Sequence, residues 1–314
     1  MRLSDYILHE INKVYDVMCK AISTKLPKIE LIGGLAFGAG DSYASALTLQ
    51  YLSNLKFHAV DPLYIVKNCR ELCKCESVYV AFSYKGKTKN VVKAVKELRK
   101  YRCKVVAVTS EPTSQLGQNA DIVVEVPKTY EALPVGIGSF IAMATIAARM
   151  IRLSIDTYKL RDILSISRKN EVIIENLREP LNNVNEIVIV SNGIGVASGY
   201  YICLKFHEAL CMPCRVYPYE ELLHAALFSI RKDSLMLFFI EDMNEVGVLS
   251  NLLTNEGVPY TYVVSRDEGF SKFLTYVIKG LRILHEFVKA SGLDKPCSME
   301  RRKILKATTP MIYY

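Results

Sequence analysis

Apolar positions in the first half of the chain follow two rhythms. In residues 4–24, Tyr6, Ile7, Ile11, Val14, Tyr15 and Met18 recur at spacings of one, three and four, the stripe of an amphipathic helix. Residues 29–37 are apolar without clean alternation and end at Gly38-Ala39-Gly40-Asp41. They predict a buried strand, a tight turn and a helix capped by Asp41 or Ser42 that runs to about residue 55. Short apolar runs at 63–66, 78–82, 105–109 and 122–126 predict further strands, with helices over 88–101 and 137–153. Strands alternating with helices predict an α/β fold with a parallel sheet covered on both faces.

Residues 154–177 are charged and helical in pattern, which predicts a connection. The rhythm then restarts, with strands predicted at 186–191, 214–217, 235–240 and 260–264 and helices at 197–210, 243–255 and 269–291. The openings of the two halves match. LIGGLAFGAGDSYASALTLQYL and IVIVSNGIGVASGYYICLKFHEAL both read as strand, Gly-x-Gly turn and small-residue helix, so an internal duplication is expected. The resulting organisation is an N-terminal helix (1–24), a first domain (25–153), a helical connection (154–177), a second domain (178–292) and a closing segment (293–314). A dinucleotide-binding turn is disfavoured, because Ala44 stands where a third glycine belongs and no acidic residue clearly ends the second strand.

Composition narrows the function classes. The 314 residues suffice for two cores; 50% are hydrophobic and 23% charged, a globular balance. No apolar run reaches the length of a membrane span, and the first twenty residues resemble neither a signal nor a transit peptide. A cytoplasmic protein without a membrane partner is expected. The formal charge of +8 is scattered along helices and not interleaved with aromatics on one sheet face; a solvated surface and an anionic small substrate explain it as well as nucleic acid does, and nucleic acid is not expected. Nine cysteines include Cys69, Cys73 and Cys75 in one cluster and Cys211 and Cys214 in another. With His207 and His224 nearby they match no zinc pattern, so buried thiols are expected, or disulfides within a cluster if the source is a hyperthermophile.

The stretch 78–91, VYVAFSYKGKTKNV, holds the most telling chemistry. An apolar strand breaks into a polar turn and then a helix, which places Ser83, Lys85 and Thr88 beside a helix N-terminus, a setting suited to an anion. The counterpart in the second half reads Glu241-Asp242-Met243-Asn244 and would repel phosphate. One half is therefore expected to keep an anion site that the other has lost.

These residues resemble the sugar isomerase (SIS) family, in particular the double-SIS isomerase half of glucosamine-6-phosphate synthase and its stand-alone archaeal relatives. The resemblance covers about residues 25–310 and implies two doubly wound SIS-type domains. It places a phosphate-binding serine at Ser42, beside Gly40, in the first glycine turn. It also places the family's Ser-x-Ser-Gly-x-Thr loop on Ser83-Tyr84-Lys85-Gly86-Lys87-Thr88, with Lys85 replacing a serine. In the second half, Leu204-Lys205-Phe206-His207-Glu208 resembles the segment with a substrate lysine and a catalytic glutamate. Glu221-Leu222-Leu223-His224 follows with the family spacing of sixteen residues from Glu208 to His224, although Ala225 and Ala226 replace glycine and proline. Asp294-Lys295-Pro296 resembles the entry to the closing segment, whose Schiff-base lysine aligns with Arg301; Lys303 is the available substitute.

On pattern alone Lys205 and Glu208 are a surface ion pair on one helix face, and His224 follows a capped turn, Pro218-Tyr219-Glu220. The resemblance implies instead that Glu208 shuttles the proton between C1 and C2, His224 opens the sugar ring, and Lys205 stabilises the enediolate. It implies a homodimer, with the histidine contributed by the neighbouring subunit, and neither metal nor other cofactor. The sequence shows no glutamine-hydrolysing segment, so ammonia is not expected to come from glutamine. Three functions fit. One converts glucosamine 6-phosphate to fructose 6-phosphate and ammonia, the second isomerises glucose or mannose 6-phosphate, and the third is a sugar-phosphate sensor without catalysis.

Overall fold

The structure, a computed structural model, describes residues 2–74, 76–166 and 181–314. In chain order α1 (Leu3–Ser23) leads to β1 (Gly34–Phe37), α2 (Asp41–Leu52), β2 (Phe57–Val60), α3 (Pro62–Leu72) and β3 (Val78–Phe82). Next come α4 (Lys89–Lys100), β4 (Lys104–Thr109), α5 (Gln115–Asn119), β5 (Ile122–Glu125), α6 (Gly138–Met150) and α7 (Thr157–Ile166). Further along lie β6 (Glu186–Ser191), α8 (Ile194–Leu210), β7 (Cys214–Pro218), α9 (Tyr219–His224), β8 (Ser234–Ile240), α10 (Gly247–Glu256) and β9 (Tyr260–Val264). The chain closes with α11 (Gly269–Ser291), α12 (Cys297–Glu300) and α13 (Arg302–Ile312). The expected helical connection is α7 in part; its stretch from residue 167 onward lies outside the described residues.

Two compact units result. One holds residues 13–132, 136–155 and 301–314, and the other residues 1–12, 133–135 and 156–300. The first contains a parallel sheet in the order β2-β1-β3-β4-β5, the second a parallel sheet in the order β7-β6-β8-β9. Both are doubly wound α/β sheets in which the chain reverses direction beside the first strand of each. The crevice outside the carboxyl ends of β1 and β3, or of β6 and β8, is where such folds bind ligands.

Period-two alternation on fully buried strands builds the cores. In β3, Val78, Val80 and Phe82 pack on one face with Leu49, Met143 and Ile146, while Tyr79 and Ala81 pack on the other with Ile65, Val95 and Leu98. Burial on both faces explains why these strands read as continuous apolar runs and not as alternating ones. In the second unit Val188, Val190, Met236 and Phe238 pack against Leu249 and Leu253 of α10.

Three expectations needed correction, and the closing segment, left without an assigned element, contains a helix. The apolar run at 63–66 is helical, within α3, and the strand precedes it as β2. Asp61 accepts from the N–H groups of Leu63 and Tyr64 and Pro62 opens the helix, an N-terminal signal that outweighs the β-branched residues. The first strand covers only Gly34–Phe37 of 29–37. Gly40, not Asp41 or Ser42, occupies the cap position of α2. The residues of the closing segment's helix, α13, are almost wholly exposed.

The two glycine turns share their backbone angles. Gly40 has φ 57° and ψ −128°, and Gly193, at the cap position of α8, has φ 53° and ψ −130°. This region is open essentially to glycine alone. A Cβ at either position would meet no atom within 4 Å. The requirement is therefore backbone strain and not crowding. Gly34, at φ 147°, is the opposite case, since a Cβ there would lie 2.1 Å from the carbonyl oxygen of Val78. G40A is expected to cost about 1–3 kcal/mol in chemical denaturation, and G34A distinctly more, because β1 and β3 would have to separate. Equal stability of the two variants would contradict this reading.

Candidate functional site

Strand β3 delivers its loop at the switch point of the first sheet. The loop is fixed by its own backbone: the Gly86 N–H donates to Ser83 O at 2.9 Å, and Leu116 N–H donates to Gly86 O at 3.1 Å. The Tyr84 carbonyl accepts from Thr109 Oγ1, Ser110 N and Ser110 Oγ at 2.8–2.9 Å. Its phenol is held by Thr129, whose N–H donates to it at 2.6 Å and whose hydroxyl lies 3.0 Å away. Tyr84 thus anchors the loop through groups already engaged elsewhere.

What the loop leaves for a ligand is its hydroxyls and a helix start. Ser83 Oγ and Thr88 Oγ1 lie 3.1 Å apart, and Thr88, at the cap position of α4, makes no side-chain bond to the helix N–H groups. Those N–H groups and the helix dipole favour an anion. Ser42, in the first turn of α2, is buried, and among the described residues its hydroxyl has the Met143 sulfur at 3.9 Å as hydrogen-bond partner. Lys85 is exposed, and no hydrogen bond or ion pair among the described residues restrains its ammonium. Gly40, Ser42, Ser83 and Thr88 thus sit on two loops that leave adjacent, register-paired strands.

The C-terminal segment reaches the same loop by a route the sequence did not suggest. Tyr313 pairs with Thr88 in an antiparallel bridge, and Tyr314 N–H donates to Lys87 O at 3.2 Å. Lys89 donates to Pro310 O and lies 5.6 Å from the centroid of the Tyr314 ring. Arg301 and Lys303 are exposed at the opposite end of α13, about 15 Å along the helix from that bridge. The segment's contribution to the loop is therefore its terminal tyrosines.

Register identifies the counterparts in the second unit. Gly34 pairs with Val78, and Ile187 with Leu235. Counting from these pairs, Ser42 corresponds to Gly195, Ser83 to Ile240 and Thr88 to Glu245. All three hydroxyls are gone. The equivalent of Thr88 is an acid that fills its own loop: Glu245 Oε1 accepts the N–H groups of Glu241 and Asp242, both at 2.8 Å. Asp242 in turn accepts Asn244 N–H at 2.9 Å, completing a capping box. Lys272 and Arg266 pair with Glu241 and Asp242. The acids expected to repel phosphate therefore also satisfy the backbone donors a phosphate would use, and Glu245, which lies outside the stretch Glu241–Asn244 that the sequence singles out, is central among them.

In the second unit Lys205 and Glu208 form a bond of 2.6 Å. It is not the surface pair that helical spacing suggests. Lys205 is entirely buried, with its ammonium 5.1 Å from the centroid of the Tyr201 ring, while the Glu208 side chain is 34% exposed. A buried ammonium is costly unless a partner carries the opposite charge. Glu208 is that partner, and it presents its other side toward solvent.

His224 is 75% exposed and lies 3.4 Å from Glu220. No side chain of its own turn caps α9: Pro218 makes no capping bond, and Tyr219 N–H instead donates to Asn192 Oδ1, 27 residues away, at 3.2 Å. The glycine turn of the second unit thus positions the helix carrying His224. Among the described residues no group of three or more His, Cys, Asp or Glu is placed to hold a metal ion. Among the described residues Cys73, Cys211 and Cys214 each pair with a cysteine outside both clusters, as Cys73–Cys103, Cys203–Cys214 and Cys211–Cys297, and no bond forms within a cluster; Cys75 lies outside the described residues.

Comparison with known proteins bears on both units. Residues 35–151 match the SIS domain family. Glutamine--fructose-6-phosphate aminotransferase [isomerizing] of Pyrobaculum aerophilum is 22% identical over 225 residues, covering 66% of this chain and 37% of that protein. The chain thus spans well under half the length of this curated relative. Glucosamine-6-phosphate deaminase from Thermotoga maritima superposes with a TM-score of 0.70 at 18% identity, covering 93% of this chain and 97% of that one. The C-terminal domain of glucosamine-fructose-6-phosphate aminotransferase from Francisella tularensis superposes with a TM-score of 0.69 at 16% identity, with coverage of 93% and 97%. These structures share the fold.

The ion pair makes a stability prediction. E208A leaves the Lys205 ammonium without its carboxylate and is expected to cost about 3 kcal/mol, with some of that screened by the solvent at Glu208. Adding K205M should restore at least half of the loss in a double-mutant cycle. A double variant as unstable as the sum of the singles would show that the pair is not coupled.

Proposed function

We propose that this chain is a phosphosugar aldose–ketose isomerase acting on an amino-sugar phosphate, converting glucosamine 6-phosphate and water to fructose 6-phosphate and ammonia. The observation that carries the reading is the buried Lys205 ammonium bonded to a half-exposed Glu208. A carboxylate of this kind can take a proton from one carbon and return it to the next, while the neighbouring ammonium stabilises the enediolate between them. The loop at Ser83–Thr88, with Ser42, supplies the phosphate grip. The similarity to an aminotransferase described as isomerizing, and to a deaminase of the same fold, supports the amino-sugar substrate.

His224 takes the ring-opening role, and its exposure suits a side chain offered to a neighbouring subunit in a homodimer. Neither metal nor other cofactor is needed for this chemistry. A cytoplasmic location accords with the substrate class, and no described helix is long and apolar enough to cross a membrane. The same exposure of His224 favours one competing reading, a non-catalytic sugar-phosphate sensor. Glucose or mannose 6-phosphate remains the alternative substrate.

Purified protein given glucosamine 6-phosphate is expected to release ammonia and fructose 6-phosphate in equal amounts, with glucose 6-phosphate as the parallel arm. E208Q should reduce turnover at least about a hundredfold, the scale of a lost general acid–base catalyst, while sugar phosphate still raises its melting temperature. Full activity in E208Q would remove Glu208 from the mechanism. Thermal stabilisation without turnover of either sugar would establish the sensor.

A further inference from the structure

Glu208 lies in the last turn of α8, which ends at Leu210. Last turns fray, because their carbonyls lack intrahelical partners. Here the turn is closed by Cys211, whose N–H donates to His207 O at 3.1 Å from a left-handed backbone with φ 51°. That conformation is disfavoured for any residue with a side chain, and it persists where the surroundings hold it.

Two disulfides are among those surroundings. Cys203, two residues before Lys205, bonds to Cys214 of β7, and Cys211, three residues after Glu208, bonds to Cys297 of α12. The pair is thus bracketed by cross-links on one helix. The two bridges differ in access: Cys203 and Cys214 are 5% and 7% exposed, whereas Cys211 and Cys297 are both half-buried. Thiol–disulfide exchange requires an attacking thiolate to reach sulfur, so the outer bridge opens first.

We propose that the Cys211–Cys297 bridge is a redox-sensitive tie that positions Glu208 against Lys205, so that the relay works with the bridge closed and is lost when it opens. This rests on the isomerase reading for its effect on turnover, but not for its effect on the helix. Opening takes two electrons and two protons from a dithiol such as dithiothreitol, which leaves as its cyclic disulfide, and yields the thiols of Cys211 and Cys297. Reoxidation by a disulfide such as oxidised glutathione reverses it. The phosphate loop lies in the other unit, whose bridge is Cys73–Cys103, so sugar-phosphate binding does not depend on the outer tie.

The test compares oxidised wild-type protein, protein treated with dithiothreitol until mass spectrometry of alkylated peptides shows Cys211 and Cys297 open, and the C211S/C297S variant. Opening the bridge is expected to lower kcat at least about tenfold, as a small misplacement of a reacting group does. KM and the melting-temperature rise with fructose 6-phosphate should stay unchanged. Oxidised glutathione should restore the wild type and leave C211S/C297S impaired. Amide hydrogen exchange over residues 207–211 should quicken in both opened forms. Unchanged kcat, or unchanged exchange, with the bridge open would overturn the proposal. If the oxidised protein turns over no sugar phosphate, the isomerase reading fails, and the exchange result alone decides whether the bridge holds the turn.

Discussion

A parallel strand that runs into a helix leaves a set of backbone N–H groups at the carboxyl edge of its sheet, and something must accept them. The two units of this protein answer that constraint differently. After β8 the chain supplies its own acceptors, with Glu245 and Asp242 completing a capping box. After β3 it supplies none from the capping residue: Thr88 turns its hydroxyl to Ser83, and α4 begins without a side-chain cap. An internal carboxylate caps the loop after β8, while the loop after β3 is the proposed grip for an outside anion. The asymmetry is one of satisfied against available hydrogen bonds, with charge repulsion reinforcing it.

The closed unit is also the one with the buried ion pair. Its glycine turn, strained in the same way as that of the open unit, no longer carries a serine; Gly195 stands there, and the Ser191 hydroxyl occupies the space a side chain would need. That turn holds α9 through Asn192, and the adjoining helix α8 holds Lys205 and Glu208. On the proposed reading the proton-transfer residues and the anion-gripping residues belong to different units.

Much of this was legible from residues, and the failures share a cause. The strands at 78–82, 186–191 and 260–264 and the helix at 269–291 could be placed because apolar runs bounded by glycine or polar turns have few other solutions. The run at 63–66 is ambiguous in sequence because its apolar residues suit either a buried strand or one face of a helix, and the deciding signal, Asp61 followed by Pro62, lies outside the run. The burial of Lys205 was invisible to helical spacing, which shows that two side chains share a face but not which face turns inward. Cysteine spacing failed for a related reason. Cys211 and Cys297 are 86 residues apart and meet only through tertiary structure. Glu245 escaped notice because its equivalence to Thr88 rests on strand register, which no alignment of the two loops by composition reveals.

The central claim is that one unit grips phosphate and the other has closed its grip. The most direct test is a crystal structure with bound fructose 6-phosphate. Phosphate oxygens are expected within hydrogen-bonding distance of Ser42, Ser83 and Thr88, with Glu245 still accepting from the N–H groups of Glu241 and Asp242. A phosphate seated on the N–H groups of Glu241 and Asp242, with Glu245 displaced, would contradict it.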